Sequence, residues 1–247
     1  MELAEGHFWG NLGLWRAGSS YVDAARALAR HVGTAAALKS GSTLLDLGSG
    51  YGAQLGLWHN DFKVTSILTV EPSSEARRAA RAYTSQLELD ITWTDVSNVP
   101  KKSLDSVVSV DAAYHFTQRQ HLLKTLSQAL KPAGQLAWTD LLLTRVATSG
   151  QHPIQRISSA FDIPPENLLS EAAYTQTLER AGFRDIQIEN LSAEVLGGFA
   201  THWREALAAH RSRPDASWLK YSLTALASKL AIRSDTPRYV LVRASKA

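Results

Sequence analysis

Cysteine is absent from all 247 positions, which excludes disulfides, zinc-thiolate sites and a cysteine nucleophile together. Long apolar runs are missing too: no stretch approaches the roughly 20 residues needed to span a bilayer. The first residues, Met1-Glu2-Leu3-Ala4-Glu5-Gly6-His7, carry acids before any apolar run, so a secretory signal is not expected. The simplest location is the cytoplasm. Nor is there a strong excess of one charge, since 26 Lys and Arg against 23 Asp and Glu leave a formal net charge of +3. The balance is nonetheless uneven: from Trp203 to Ala247 nine basic residues face three acids. Such a segment could meet a nucleic acid, an anionic membrane surface or an acidic substrate. Dispersed positives without interleaved stacking aromatics favour the plainer reading, a solvated helical face. The acids and histidines lack His-x-x-x-His-like or paired-acid spacing, so no metal site is expected.

What is present is an alternation of strand-like and helix-like segments from residue 20 onward, with 45% apolar residues to fill a core. The expected elements are a helix over 21–38 with Ser20 and Asp23 forming a capping box, and a strand over 43–47. A strand over 64–70 follows, then a helix from Ser73 to about 84. Short strands are expected at 91–94 and 106–110. Thr117-Gln118-Arg119-Gln120 reads as a capping box for a helix to Leu130, and a strand is expected at 135–142. Ser170 opens a helix ending at Ala181-Gly182, a strand covers 184–191, and helices at about 199–211 and 216–231 precede a last strand at 238–243. Residues 143–170, broken by His152-Pro153 and Pro164-Pro165, read as an insertion over the substrate pocket.

The chemistry-bearing stretch is Leu44-Leu45-Asp46-Leu47-Gly48-Ser49-Gly50-Tyr51-Gly52, a buried strand opening into glycines at alternate positions. Glycines there let the backbone take positive φ and a ligand lie against peptide groups. A dinucleotide turn with spacing G-x-G-x-x-G is the competing pattern. Asp46, two residues ahead of the first glycine, argues against it, because a carboxylate there can reach a cationic group over the turn. Glu71 ends the next strand, where a carboxylate can accept both hydroxyls of a ribose. Asp95 ends the third and can accept from a purine amine. Acids at three successive strand ends line one crevice.

With Leu44 to Gly52, Glu71, Asp95-Val96 and Leu130-Lys131-Pro132-Ala133-Gly134-Gln135-Leu136 together, the chain resembles the class I S-adenosylmethionine-dependent methyltransferases over roughly residues 7 to 247. The turn usually reads Leu-Lys-Pro-Gly-Gly in that family, so Ala133 departs from it. Val110 to Phe116 and the segment His7 to Trp15 are similar to the small-molecule enzymes acting on ubiquinone, tocopherol, sterols and phosphoethanolamine. The resemblance implies a Rossmann-like α/β sandwich with a seven-stranded, mostly parallel sheet and an antiparallel last strand. It implies one domain over 1–247, with residues 1–40 and 143–170 covering the pocket. S-adenosylmethionine, or S-adenosylhomocysteine as product, would be held by Asp46, Gly48, Ser49, Gly50, Gly52, Glu71, Pro72, Asp95, Val96, Asp111, Trp15 and Tyr21.

The reaction expected is in-line methyl transfer to O, N or C of a small molecule, promoted by proximity. His115, on the loop after the fourth strand, is the candidate base, and its alternative role is an imidazole capping the following helix. Asp140 is a second candidate, for an acceptor amine or hydroxyl, against a role as a loop cap. Tyr114, His115 and Trp15 would line the acceptor side. His7, His152 and His202 are weaker candidates. Competing functions are a methyltransferase fold that binds the donor without transfer, as a pericyclase or binding protein; a nicotinamide oxidoreductase; and, as a minor option, a nucleic-acid methyltransferase. A homodimer is one option for assembly.

Overall fold

The computed structural model describes residues 9–87, 89–144, 161–209 and 216–247. Helix α1 (Tyr21–Ala35) starts where expected: the Ser20 side chain accepts from the Asp23 amide and Asp23 answers on the Ser20 backbone, closing the capping box. It ends three residues early, and Ala24, Ala25, Leu28, Ala29 and Val32 form its buried stripe. Strand β1 (Thr43–Leu47) is buried along both faces, as a central parallel strand must be. Then come α2 (Ala53–Phe62), β2 (Ser66–Val70), α3 (Ser74–Thr84, capped by Ser73), β3 (Asp90–Trp93) and β4 (Leu104–Ser109).

Helix α4 (Arg119–Ala129) departs from expectation at its start. Its N-cap is Gln118, in the left-handed region at φ 53°, with no side-chain cap bond, so the expected Thr117–Gln120 box does not form. Arg119 is buried instead. Strand β5 runs over Leu130–Leu143, five residues longer at its start than expected. Ala133 lies within it at φ 60°, a conformation costing a residue with a Cβ about 1 kcal/mol. A two-residue strand β6 (Leu169–Ser170) precedes α5 (Glu171–Arg180), whose cap is Ser170 as expected. Beyond β7 (Phe183–Asn190), a π-helical turn at Ala193–Gly197 leads into α6 (Gly198–Ala209), α7 (Ala216–Ser234) and β8 (Arg238–Lys246).

The sheet order is β3-β2-β1-β4-β5-β8-β7, with β6 beside the end of β5. Only β8 runs antiparallel to its neighbours. One apolar cluster, with Leu28, Leu55, Trp58 and Ile67, packs α1 and α2 on one face. A second, with Leu123, Trp138, Tyr174 and Leu178, packs α4 and α5 on the other. The chain leaves β1 in one direction through β2 and β3, then returns to the other side of β1 as β4. That reversal opens a crevice at the carboxyl ends of β1 and β4, where ligands of open α/β sheets bind.

Candidate active site

Register places the crevice residues. Leu47 pairs with Val70, so Gly48 follows β1 beside Glu71. Thr69 pairs with Trp93, which carries Glu71 to the level of Asp95. The glycines have separate duties. A Cβ on Gly48 would lie 2.3 Å from the Ala112 Cβ, and one on Gly52 2.9 Å from the Ala80 Cβ. Both therefore serve close packing of the chain on itself, at φ 80° and 93°. Gly50, at φ 56°, is the uncrowded one of the three: a Cβ there would meet nothing within 4 Å among the described residues.

Glu71 holds this turn. Its Oε2 accepts from the Gly50 amide at 2.8 Å and its Oε1 from the Ser73 amide at 2.8 Å. Each carboxylate oxygen retains a second lone pair for an incoming hydroxyl. The Ser49 hydroxyl is buried in the turn with no hydrogen-bond partner. Asp95 is exposed, and its carboxylate makes no cap bond to the short helical turn at Val96–Asn98. Pro72 is exposed beside Glu71, and Val96 is half-buried against the second apolar cluster. An open backbone, an orphaned hydroxyl and two carboxylates with acceptor capacity fit an adenosyl donor bearing a ribose diol and an exocyclic amine.

Asp46 sits differently from the expected reach over the turn. It is fully buried, and it accepts from Gln54 Nε2 at 2.8 and 2.9 Å and from Trp58 Nε1 at 2.6 Å, so the carboxylate ties β1 to α2 behind the glycines. Burial pushes its carboxyl up to about 6 against the pull of those donors. A raised carboxyl binds its proton more tightly folded than unfolded, so this contribution to stability is present at low pH and lost as pH rises through about 6. Relative to Asp46→Asn, the wild type should gain about 1 kcal/mol in denaturant unfolding between pH 7 and pH 5. An equal difference at both pH values would count against the assignment.

Asp111 is a tether. It stands just past β4 at φ 54°, its amide donates to Thr139 Oγ1, and its carboxylate accepts from the Leu12 amide at 2.6 Å, Tyr239 Oη at 2.5 Å and Tyr114 Oη at 3.4 Å. It thus joins the N-terminal segment, β8 and the loop after β4, and burial raises its carboxyl. Tyr21 donates its hydroxyl between the Trp9 and Asn11 carbonyls, fixing the same segment. The Trp15 indole N–H donates to Leu12 O, and its ring stacks on His202 of α6 at 4.4 Å between centroids. Residues 9–20 and α6 therefore meet, and burial lowers the His202 imidazole. His7 and His152 lie outside the described residues.

His115 is exposed, at the end of a short helical turn, with its ring 4.5 Å from that of Tyr114. Its Nδ1 lies 3.1 Å from the Asp162 carbonyl. A carbonyl only accepts, so Nδ1 is the donor of this contact and Nε2 is the other ring nitrogen. Asp140 does not have that freedom. It is fully buried and ion-paired with Arg119, and it accepts from Tyr174 Oη at 2.7 Å and the Leu141 amide at 2.8 Å. The suggested acceptor-binding role is corrected to a structural one, because these donors occupy the carboxylate. Arg119 also donates to Asn167 Oδ1 and the Ala113 carbonyl, while the Asn167 amide nitrogen donates to the Tyr114 and Phe116 carbonyls. Arg119, Asn167, Gln54, Trp58 and Tyr239 escaped the sequence reading. An arginine beside a helix start gives no local sign that it is buried.

A protein-family model described as a methyltransferase domain matches residues 45–138, which hold the glycine turn, Glu71, Asp95 and the loop after β4. Erythromycin 3''-O-methyltransferase of Saccharopolyspora erythraea is 27% identical over 250 residues, covering 95% of this chain and 82% of that protein. Among solved structures, the geranyl diphosphate C-methyltransferase of Streptomyces coelicolor superposes with a TM-score of 0.74 at 16% identity, covering 99% of this chain and 92% of that one. The [4+2]-cyclase SpnF does so with a TM-score of 0.71 at 20% identity, covering 95% and 86%. These two structural likenesses bear on the fold. With the motif residues, the sheet order and the matched domain in agreement, the chain carries a methyltransferase domain over residues 45–138 and is similar to S-adenosylmethionine-dependent small-molecule methyltransferases.

Proposed function

We propose that this protein methylates a hydroxyl of a small-molecule acceptor, using S-adenosylmethionine bound over Gly50 and returning S-adenosylhomocysteine. The observation that carries the reading is the opening of Gly50, alone among the three glycines of the turn, onto space free of the described residues, with its amide held by the Glu71 carboxylate. The relatives named erythromycin 3''-O-methyltransferase and 27-O-demethylrifamycin SV methyltransferase support a hydroxyl acceptor.

Bound S-adenosylmethionine supplies an electrophilic methyl on a sulfonium. The chain's own work is to hold it. Gly50 and Ser49 offer backbone and hydroxyl, Glu71 and Pro72 flank the ribose position, and Asp95 and Val96 flank the adenine position. Asp46, Gly48 and Gly52 keep the turn in shape from behind, and Asp111 and Tyr21 fix residues 9–20 as a cover that brings Trp15 over the crevice. Tyr114 and His115 face the acceptor, and His115 Nε2 takes the proton of the reacting hydroxyl. Alignment of the reactants can supply roughly 7–11 kcal/mol of the barrier, and a positioned base a further factor of about 100 to 10,000. The same reading takes the chain as one domain working in the cytoplasm, with the described part of residues 1–40, from Trp9 on, as a cover; residues 145–160 of the expected insertion over 143–170 lie outside the described residues.

Calorimetry with S-adenosylmethionine and S-adenosylhomocysteine, followed by mass spectrometry of a host extract for a product heavier by one CH2, tests the proposal. Binding of neither ligand sinks it. Binding without transfer to any acceptor would instead favour a donor-binding protein or cyclase. Once an acceptor is known, His115→Gln should lower kcat about 100-fold or more while leaving S-adenosylhomocysteine affinity unchanged. An unchanged kcat removes His115 from the base role.

A further inference from the structure

Helix α7 carries an apolar stripe that stands exposed among the described residues. Leu219, Leu223, Leu226 and Leu230 recur at i, i+4, i+7 and i+11, one face of a helix, and are 63%, 50%, 55% and 46% exposed. The stripe is roughly 16 Å long at the helical rise. Lys220, Lys229 and Arg233 flank it, residues 216–234 contain no acid, and these three cations make no ion pair among the described residues. A cavity of about 420 Å³ opens beside it between α6 and α7. Trp203, Leu207 and Ile232 line this cavity, which shares Leu226, Lys229 and Arg233 with the stripe.

We propose that α7 seats the protein on an anionic lipid surface, with the four leucines in the acyl boundary and the three cations among the headgroups. The charge pattern chooses the occupant. A second copy paired along the stripe would bring cations against cations with no acid on either helix, whereas an anionic surface meets all three. An apolar face bordered by basic side chains is the arrangement that binds such an interface, each cation adding attraction to the burial of the leucines. The cavity opening onto the same face gives an apolar molecule a path out of the lipid.

The full-length protein is sedimented with phosphatidylcholine vesicles, with and without phosphatidylglycerol. Retention should require phosphatidylglycerol and fall as salt is raised. The triple variant Lys220→Gln, Lys229→Gln, Arg233→Gln should partition at least about tenfold more weakly. So should Leu219→Gln, Leu223→Gln, which removes apolar contact and leaves the charges. Unchanged thermal midpoint and S-adenosylhomocysteine binding in both variants show that each is folded. No retention, equal retention on neutral vesicles, or retention indifferent to both variants overturns the proposal. A concentration-dependent dimer abolished by the leucine variant overturns it in favour of a second copy, and RNA binding abolished by the cation variant does so in favour of a nucleic acid.

Discussion

Replacing Gly50 with asparagine should abolish donor binding while leaving the fold standing. Gly50 lies at φ 56°, and asparagine is among the residues that adopt this left-handed conformation with least strain, so the backbone cost is about 1 kcal/mol or less. Its Cβ would meet no atom of the described residues within 4 Å. The side chain would fill the space over the turn in which the donor is proposed to lie, so donor affinity should fall at least about 100-fold, some 2.7 kcal/mol. Gly48→Ala and Gly52→Ala should behave in the opposite sense. Their Cβ atoms would come within 2.3 Å of Ala112 and 2.9 Å of Ala80, where something must shift, so thermal stability falls. Calorimetry with S-adenosylhomocysteine beside thermal unfolding separates the two effects. Near-normal affinity in Gly50→Asn would refute the assigned pocket.

Arg119→Met should be the most damaging single change for stability. It leaves the Asp140 carboxylate buried at 0% exposure without its counter-ion, a loss that costs about 3–5 kcal/mol. For a chain of this size the midpoint should fall by roughly 6–20 °C. It also unties Asn167, which holds the carbonyls of Tyr114 and Phe116 on either side of His115. Adding Asp140→Asn to Arg119→Met should recover part of the loss, since the uncompensated charge disappears. An unchanged midpoint in Arg119→Met would show that the ion pair contributes nothing. A fall in acceptor affinity alone, in Asp140→Asn, would restore that residue to the acceptor site.

Most elements were legible because their signals are local. Ser20, Ser73 and Ser170 announced helix starts, since a cap needs only a hydroxyl a few residues from its amide. The Thr117–Gln120 pattern had the same form and failed, because Arg119 is drawn to Asp140 on β5, a partner 21 residues away. Asp46, Asp111 and Asp140 likewise read as strand-end acids open to a ligand. Each is bound to protein donors on other elements, whereas Glu71 and Asp95 keep acceptor capacity among the described residues.

By itself the sequence determined the layered α/β fold, the strand from which the crevice starts and the class of donor it suits, because apolar periodicity and the positive φ of alternate glycines are written in neighbouring residues. Only the tertiary structure decided which glycine of the turn is uncrowded, which acids are buried ties and which keep acceptor capacity, and where α7 leaves its leucines. Those assignments depend on groups brought together across the sheet. A carboxylate's role is set by the donors that reach it in space, and its position in the chain does not name them.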